Sequence, residues 1–192
     1  MTTQANHKTP AIGEPKSDVR APLLSTYYPS PLGEMRMVAD GEGLRGLWFV
    51  DAPWPGAERL ADKASTKGSA DDPHLRAACR WLDNYFQGLP LPPTPRLHPV
   101  GTEFQRLVWR LLLDIPMGQT TSYGALAHEV ALRLRRSRMS AQAIGQAVGH
   151  NPIAIIVPCH RVVGTHGGLT GYAGGLWRKQ NLLDHERQES RR

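Results

Sequence analysis

The sequence predicts an α/β protein in two parts: a small N-terminal α/β module and a mostly helical C-terminal domain containing a helix-turn-helix. Three observations carry this. Strand-forming residues separated by turn signals are concentrated between Leu24 and Val50. Apolar residues at helical spacing take over from His74 onward. Between the two parts, residues 88–99 hold five prolines and read as a linker. The expected boundaries are a disordered tail over 1–21, the N-terminal module over 22–98, the C-terminal domain over 99–187 and a short tail over 188–192.

In chain order, residues 1–21 are rich in Thr, Pro, Lys and Ala, lack periodicity, and lack the apolar core of a secretory signal. Ser30-Pro31-Leu32-Gly33 marks a turn, and Asp40-Gly41 is a hairpin signal between strand candidates over 35–38 and 44–50. Residues 52–72 are expected as loop. Over 74–87, Leu75, Ala78, Cys79, Leu82 and Phe86 fall on one face of an amphipathic helix, with Asp71 or Asp72 as its cap and Gly88 as its end. Cys79 lies on that stripe and reads as core packing. Thr102-Glu103-Phe104-Gln105 is a capping box opening a helix whose buried stripe is Phe104, Leu107, Val108, Leu111 and Leu112, and Pro116-Met117-Gly118 ends it.

Ser122 caps a helix over about 123–130 and Ser140 a second over 141–148. Two short helices in succession predict a helix-turn-helix, with plain core helices as the alternative. The connection over 131–139 carries Arg133, Arg135, Arg136 and Arg138. It is expected as a phosphate-contacting loop on the DNA side, because the second helix adjoins it; a solvated face is the alternative.

The chain has 192 residues, 40% of them hydrophobic, enough for a real core. Lys plus Arg outnumber Asp plus Glu by 23 to 17, a balance that suits a nucleic-acid partner without proving one. Two cysteines, Cys79 and Cys159, exclude a disulfide framework and a multi-cysteine zinc site. No stretch reaches the roughly 18 apolar residues of a membrane span. The expected location is a reducing, intracellular compartment, the cytoplasm.

Residues 151–163 stand apart. Ile153 to Val157 are five apolar residues, mostly β-branched, bounded by Pro152 and Pro158. They predict a fully buried strand that stops at Pro158, which cannot donate to a ladder. Cys159 and His160 then stand at its mouth. The thiolate is the nucleophile of cysteine chemistry, and a free thiol with a pKa of about 8.5 needs a neighbouring base to supply it at neutral pH. Six of the next twelve residues, 164–175, are glycine, which lets backbone approach a ligand closely. Residues 176–187 read as a helix carrying Leu182, Leu183 and Glu186.

Pro158-Cys159-His160-Arg161-Val162-Val163, the Gly171-Tyr172-Ala173-Gly174-Gly175 turn and Leu182-Leu183-Asp184-His185-Glu186 resemble, in order and spacing, the active-site region of the O6-alkylguanine-DNA alkyltransferases. The likeness runs over about residues 101–186. It implies a ribonuclease H-like N-terminal module and a winged-helix-like alkyltransferase domain. The implied activity is that of a methylated-DNA–protein-cysteine methyltransferase, which moves a methyl or larger alkyl group irreversibly from O6-alkylguanine to its own cysteine. O4-alkylthymine is a second candidate substrate. The implied partner is double-stranded DNA containing O6-alkylguanine, bound by a monomer with no cofactor and no metal.

By the same resemblance, Cys159 is the nucleophile, His160 the base acting through a water, and Glu186 the group that orients His160. Asn151 ties the recognition helix to the active-site turn. Tyr123 donates to the flipped base or its phosphate. Tyr172 and Gly174 wall the alkyl pocket, and Arg161 braces that loop. The target atom lies inside the duplex stack, so the nucleotide must be flipped out. Here the sequence departs from the family pattern. Gln142 stands where an arginine normally fills the vacated place, and the loop between the two helices is about five residues longer than a usual helix-turn-helix turn. Gln142 or Arg138 is expected to fill the gap. Three other classes are weaker. A non-catalytic lesion-binding protein would lack Cys159, a winged-helix regulator would leave Cys159, His160 and Glu186 unexplained, and a cysteine hydrolase would need an oxyanion-hole motif.

Overall fold

In the computed structural model, which describes residues 22–190, the N-terminal part is an antiparallel meander of β1 (Leu23–Ser30), β2 (Gly33–Asp40) and β3 (Gly43–Phe49). The turn signals act as expected. The Ser30 hydroxyl donates to the Gly33 carbonyl at 2.6 Å, and Asp40 Oδ1 accepts from the amides of Glu42 (2.8 Å) and Gly43 (3.1 Å). The segment expected as loop holds α1 (Ala57–Ala61) and β4 (Ala64–Ser65), the latter parallel to β1, so the sheet order is β3-β2-β1-β4. Elements of five and two residues are too short to show a period in sequence.

α2 (Pro73–Gln87) crosses the sheet, capped by Asp72, whose carboxylate accepts from the amides of His74 and Leu75, and ended by Gly88 in the left-handed conformation (φ 64°). Its buried face is Leu75, Ala78, Trp81, Leu82 and Tyr85; Cys79 and Phe86 are only partly buried at its margin. The hydroxyl of Tyr85 therefore enters the interior.

The proline-rich stretch is not a free spacer. It runs along the outer side of β3, where the Leu44 amide donates to Arg96 O and the His98 amide to Leu44 O, both at 2.8 Å. His98 Nδ1 donates to the Asp40 carboxylate at 2.9 and 3.1 Å, and Arg45 donates to it at 2.6 Å. Burial alone would raise the Asp40 carboxyl, but the bonds from Arg45, the Glu42 amide and His98 outweigh it and hold it below the usual range.

The C-terminal part begins with α3 (Glu103–Leu113), opened by the expected Thr102–Gln105 capping box. β5 (Thr121–Ser122) leads into α4 (Tyr123–Arg133), and α5 (Ala141–Gly149) follows as the second helix of the helix-turn-helix, with Ser122 and Ser140 as caps. β6 (Val162–Val163) pairs in parallel with β5, and α6 (Leu176–Glu189) closes the described chain, extending into the stretch expected as a tail. Trp109 Nε1 donates to Ala147 O at 2.9 Å, locking α3 to α5. One apolar cluster joins Met35, Leu47 and Phe49 of the sheet to Trp109, Leu112, Ile144 and Leu182 of the helices. Each such side chain contributes about 1.5–3 kcal/mol by burial, so the two parts stabilise one another. Among the described residues no helix is long and apolar enough to cross a membrane.

The Asp40 clasp gives a stability prediction. Asp40→Asn keeps the shape and loses the charged hydrogen bonds, so urea unfolding should show a loss of about 2 kcal/mol at neutral pH. Because the folded carboxyl is depressed, its contribution is complete above the unfolded value of about 3.9 and disappears as pH falls through the folded one. The stability curves of wild type and variant should therefore converge in acid.

Candidate active site

The turn that carries Cys159 is wound around Asn151. The Asn151 amide nitrogen donates to the carbonyls of Ile153 (3.1 Å) and Val157 (2.8 Å), and Oδ1 accepts from the Ile153 amide at 3.0 Å. The strand predicted over 153–157 therefore does not form. Ile153 makes one bridge to Leu47, and Ile155 turns away with φ 66°. An asparagine side chain competes for the backbone groups a ladder needs. A β-branched residue at positive φ costs on the order of 1–3 kcal/mol and persists only where its surroundings impose it. Here Ile153, Ile155 and Val157 are fully buried. Cys159 consequently opens a short 3-10 turn, Cys159–Arg161, and the same Asn151 amide donates to its sulfur at 3.1 Å.

His160 and Arg161, the next two residues, meet α6 at Glu186, which is fully buried. Glu186 Oε1 accepts from His160 Nε2 (2.8 Å), Arg161 Nη2 (2.9 Å) and the Tyr85 hydroxyl (2.9 Å). Oε2 accepts from Arg161 Nε (2.8 Å) and the Gly118 amide (3.1 Å). Burial works to raise the Glu186 carboxyl, but the bonds and charges of His160 and Arg161 outweigh it and keep it ionised. With Nε2–H committed to a carboxylate, His160 Nδ1 carries the free lone pair, and this buried atom has no hydrogen-bond partner among the described residues. Burial lowers the His160 pKa against the opposing pull of Glu186, so the imidazole rests neutral. Burial likewise raises the Cys159 thiol, opposed by the Asn151 bond and the Lys179 charge. The resting pair is thus a neutral thiol beside a neutral base whose conjugate acid Glu186 would stabilise.

The sulfur borders a narrow cleft with about 20 Å³ of accessible space, whose lining includes Phe49, Trp54, Tyr172 and Gly174. A side chain at Gly174 would come within 2.6 Å of the Tyr172 ring and 3.0 Å of Phe49, so only glycine lets these walls close. The Tyr172 hydroxyl is buried and unpartnered among the described residues. Tyr123, the first residue of α4, reaches the Gly171 carbonyl at 3.5 Å and packs near Gly145 of α5.

Of the sequence-predicted residues, the fold gathers Cys159, His160, Glu186, Asn151 and Arg161 in one buried cluster, with Tyr123, Tyr172 and Gly174 around it. Arg161 departs from expectation: it holds the Glu186 carboxylate and the Ile115 carbonyl (2.6 Å) instead of the glycine loop. Lys179 and Arg178 hold that loop. Lys179 Nζ donates to Val162 O (2.6 Å) and Thr170 O (2.7 Å). Arg178 donates to Gly174 O (3.0 Å), Leu32 O (2.8 Å) and Asp51 (2.8 Å). Lys179 is legible in principle, since it shares a helical face with Leu182, Leu183 and Glu186. Arg178, Tyr85 and Phe49 give no sequence signal, because their partners lie far along the chain. Gln142 is exposed on the first turn of α5, and Arg135, Arg136 and Arg138 are exposed between α4 and α5. Arg133 belongs to the last turn of α4, where it pairs with Glu129 at 2.9 Å, so the loop proper begins after it.

Both parts of the chain match family models. Residues 23–95 match the ribonuclease-like domain of 6-O-methylguanine DNA methyltransferase, and residues 103–188 match its DNA binding domain. A methylated-DNA–protein-cysteine methyltransferase of Mycolicibacterium paratuberculosis is 42% identical over 84% of this chain and 90% of its own. A protein of the same name from Methanosarcina acetivorans is 38% identical over 83% and 95%. The crystal structure of Mycobacterium tuberculosis O6-methylguanine methyltransferase superposes with a TM-score of 0.71 at 36% identity, covering 87% of this chain and 94% of that one. The Mycobacterium tuberculosis protein in complex with DNA gives a TM-score of 0.68 at 37% identity over 86% and 93%. A buried cysteine turn backed by His160 and Glu186, in a chain matched in order along both parts, places this protein in the 6-O-methylguanine DNA methyltransferase family.

Proposed function

We propose that the protein repairs DNA by moving an alkyl group from the O6 of guanine to Cys159 Sγ, once per molecule. The observation that carries this reading is the buried His160–Glu186 pair directly after Cys159 in the chain, in which the uncommitted ring nitrogen of His160 is the one that can take a proton. In the reaction the thiol proton passes to His160 Nδ1, through a water, and Glu186 stabilises the imidazolium. The sulfur attacks the alkyl carbon and the carbon–O6 bond breaks, with its electron pair going to guanine. The Tyr123 hydroxyl is the donor for the departing base. A thioether is a stable product, so nothing restores the thiol and no cofactor takes part. The walls at Tyr172 and Gly174 hold the alkyl group, and Asn151 keeps the sulfur in line.

DNA is the partner, and lesion-bearing duplex is its reactive form. α5 enters the groove, Gln142 or Arg138 fills the place of the flipped nucleotide, and Arg135, Arg136 and Arg138 touch phosphates. O4-alkylthymine fits the same chemistry as a second substrate. The working unit is a monomer in the cytoplasm, where thiols stay reduced.

Three measurements test this. After mixing with O6-methylguanine DNA, intact-mass and peptide spectra should show one methyl increment on the Cys159 peptide and none on the Cys79 peptide. Cys159→Ser should abolish transfer and leave DNA binding in place. Repeated turnover by one molecule would overturn the single-use reading.

Converting Arg135, Arg136 and Arg138 to Gln should flatten the slope of log affinity against log salt by about 0.9 for each phosphate that is no longer neutralised. An unchanged slope would put the loop on a solvated face.

Unstacking a nucleotide costs on the order of a few kcal/mol, and a long cation holds the vacancy better than a neutral amide. Gln142→Arg should therefore speed repair of duplex DNA about tenfold, corresponding to about 1.4 kcal/mol, and leave reaction with free O6-benzylguanine unchanged. Equal acceleration of both substrates would place residue 142 at the pocket instead.

A further inference from the structure

The N-terminal module contributes one hydroxyl to the interior of the candidate active site. Tyr85 lies near the end of α2, about a hundred residues from Glu186 in sequence, and donates to Glu186 Oε1 at 2.9 Å. That oxygen is the one His160 Nε2 uses. The placement is over-determined. The Tyr85 ring stacks on Trp81 at 5.4 Å between centroids and meets Phe86 edge-on at 5.2 Å. Its own carbonyl is held by His185 Nε2 at 2.6 Å, from the residue next to Glu186. Tyr85 and Glu186 are both fully buried, so no solvent competes for the bond. A tyrosine needed only for packing would be served by phenylalanine, and its hydroxyl would be a liability in the core.

We propose that Tyr85 is a positioning residue for alkyl transfer: its hydroxyl draws charge from Glu186 Oε1 and so sets how strongly Glu186 holds the protonated form of His160. This rests on the transfer reaction proposed above. It also gives the N-terminal module a part in that reaction. With the hydroxyl present, the shared oxygen is a weaker acceptor toward His160, and the imidazole stays neutral and ready to take the thiol proton. With it removed, Oε1 concentrates more charge on the His160 bond, and His160 becomes protonated at higher pH. A protonated His160 cannot accept the proton of Cys159.

The other groups facing this carboxylate are His160 and Arg161 on the 3-10 turn and the Gly118 amide. Lys179 and Tyr172 add their field from α6 and the glycine loop. All of them are unchanged by a substitution at Tyr85. Burial, followed by the charge of Glu186, pushes the Tyr85 phenol well above its ordinary value, so the hydroxyl remains a donor across the working range.

The test follows the rate of benzyl transfer from free O6-benzylguanine to Cys159 by intact mass between about pH 5 and 9. This substrate needs no base flipping, so DNA binding does not enter. Tyr85→Phe should move the acid limb of the rate profile upward by about one pH unit, with a smaller change on the alkaline plateau. Replacing Tyr85 by 3,5-difluorotyrosine, a stronger donor, should move the limb the other way. A uniform rate loss in both variants with an unmoved limb would overturn the inference and leave Tyr85 as a packing residue. Wild-type protein that takes no benzyl group in the same assay would overturn the transfer reaction itself. If Tyr85→Phe fails to fold, the fluorinated residue alone decides the direction of the shift.

Discussion

A single buried carboxylate organises this molecule. Glu186 receives five hydrogen bonds from four residues, and these come from α2, the segment that follows α3 and the cysteine turn. An ionised carboxylate inside a core is tolerable only when such donors replace its lost hydration. The requirement therefore runs outward. α2 must lie on the sheet so that Tyr85 reaches inward, the chain after α3 must return so that Gly118 can donate, and the cysteine turn must place His160 and Arg161 against α6. The carboxylate that ties these segments together is also the one bonded to His160, the residue after Cys159. Removing any one donor is then felt both as lost stability and as altered proton affinity at His160.

Much of this is legible in sequence, and the exceptions share a cause. Local signals serve well: the Asp72 and Thr102 caps, the Asp40 turn and the paired Ser122 and Ser140 starts all depend on residues a few positions apart. Sequence reasoning fails where a side chain overrides a backbone preference or reaches across the fold. Ile153 to Val157 has every local mark of a strand, yet Asn151 takes the carbonyls and amide that a ladder would use. The proline-rich stretch has the composition of a linker, yet Asp40, some sixty residues earlier, holds His98. Arg161 reads as a brace for the loop that follows it, because nothing in the sequence says that Glu186 lies within its reach.

Glycine and arginine divide the work around the cleft. Gly174 removes a side chain so that Tyr172 and Phe49 can approach each other. Arg178 lies with its guanidinium 4.2 Å from the centre of the Phe49 ring and 4.6 Å from that of Trp177, and its hydrogen bonds run to the β1–β2 turn and the glycine loop alike. Planar stacking combined with forked donation is something lysine cannot reproduce. The cleft wall is therefore shared between the two parts of the chain, which explains why a single apolar cluster runs through both.

The strap of residues 96–98 has a further consequence for how the chain behaves in a crowded solution. A sheet with an open margin invites another chain to add a strand. Here the β3 margin is occupied by Arg96 and His98 at Leu44 and by Pro152 and Ala154 at Leu47. On the opposite margin β4 covers only Leu23 and Leu24 of β1, and the remainder of β1 carries Pro29, which has no amide to offer. Both sides of the sheet are thus guarded against intermolecular pairing by different means, one by the chain folding back on itself and the other by a missing donor. Loosening the strap would open that margin to a second strand at Leu44, while Pro152 and Ala154 would still cover it at Leu47.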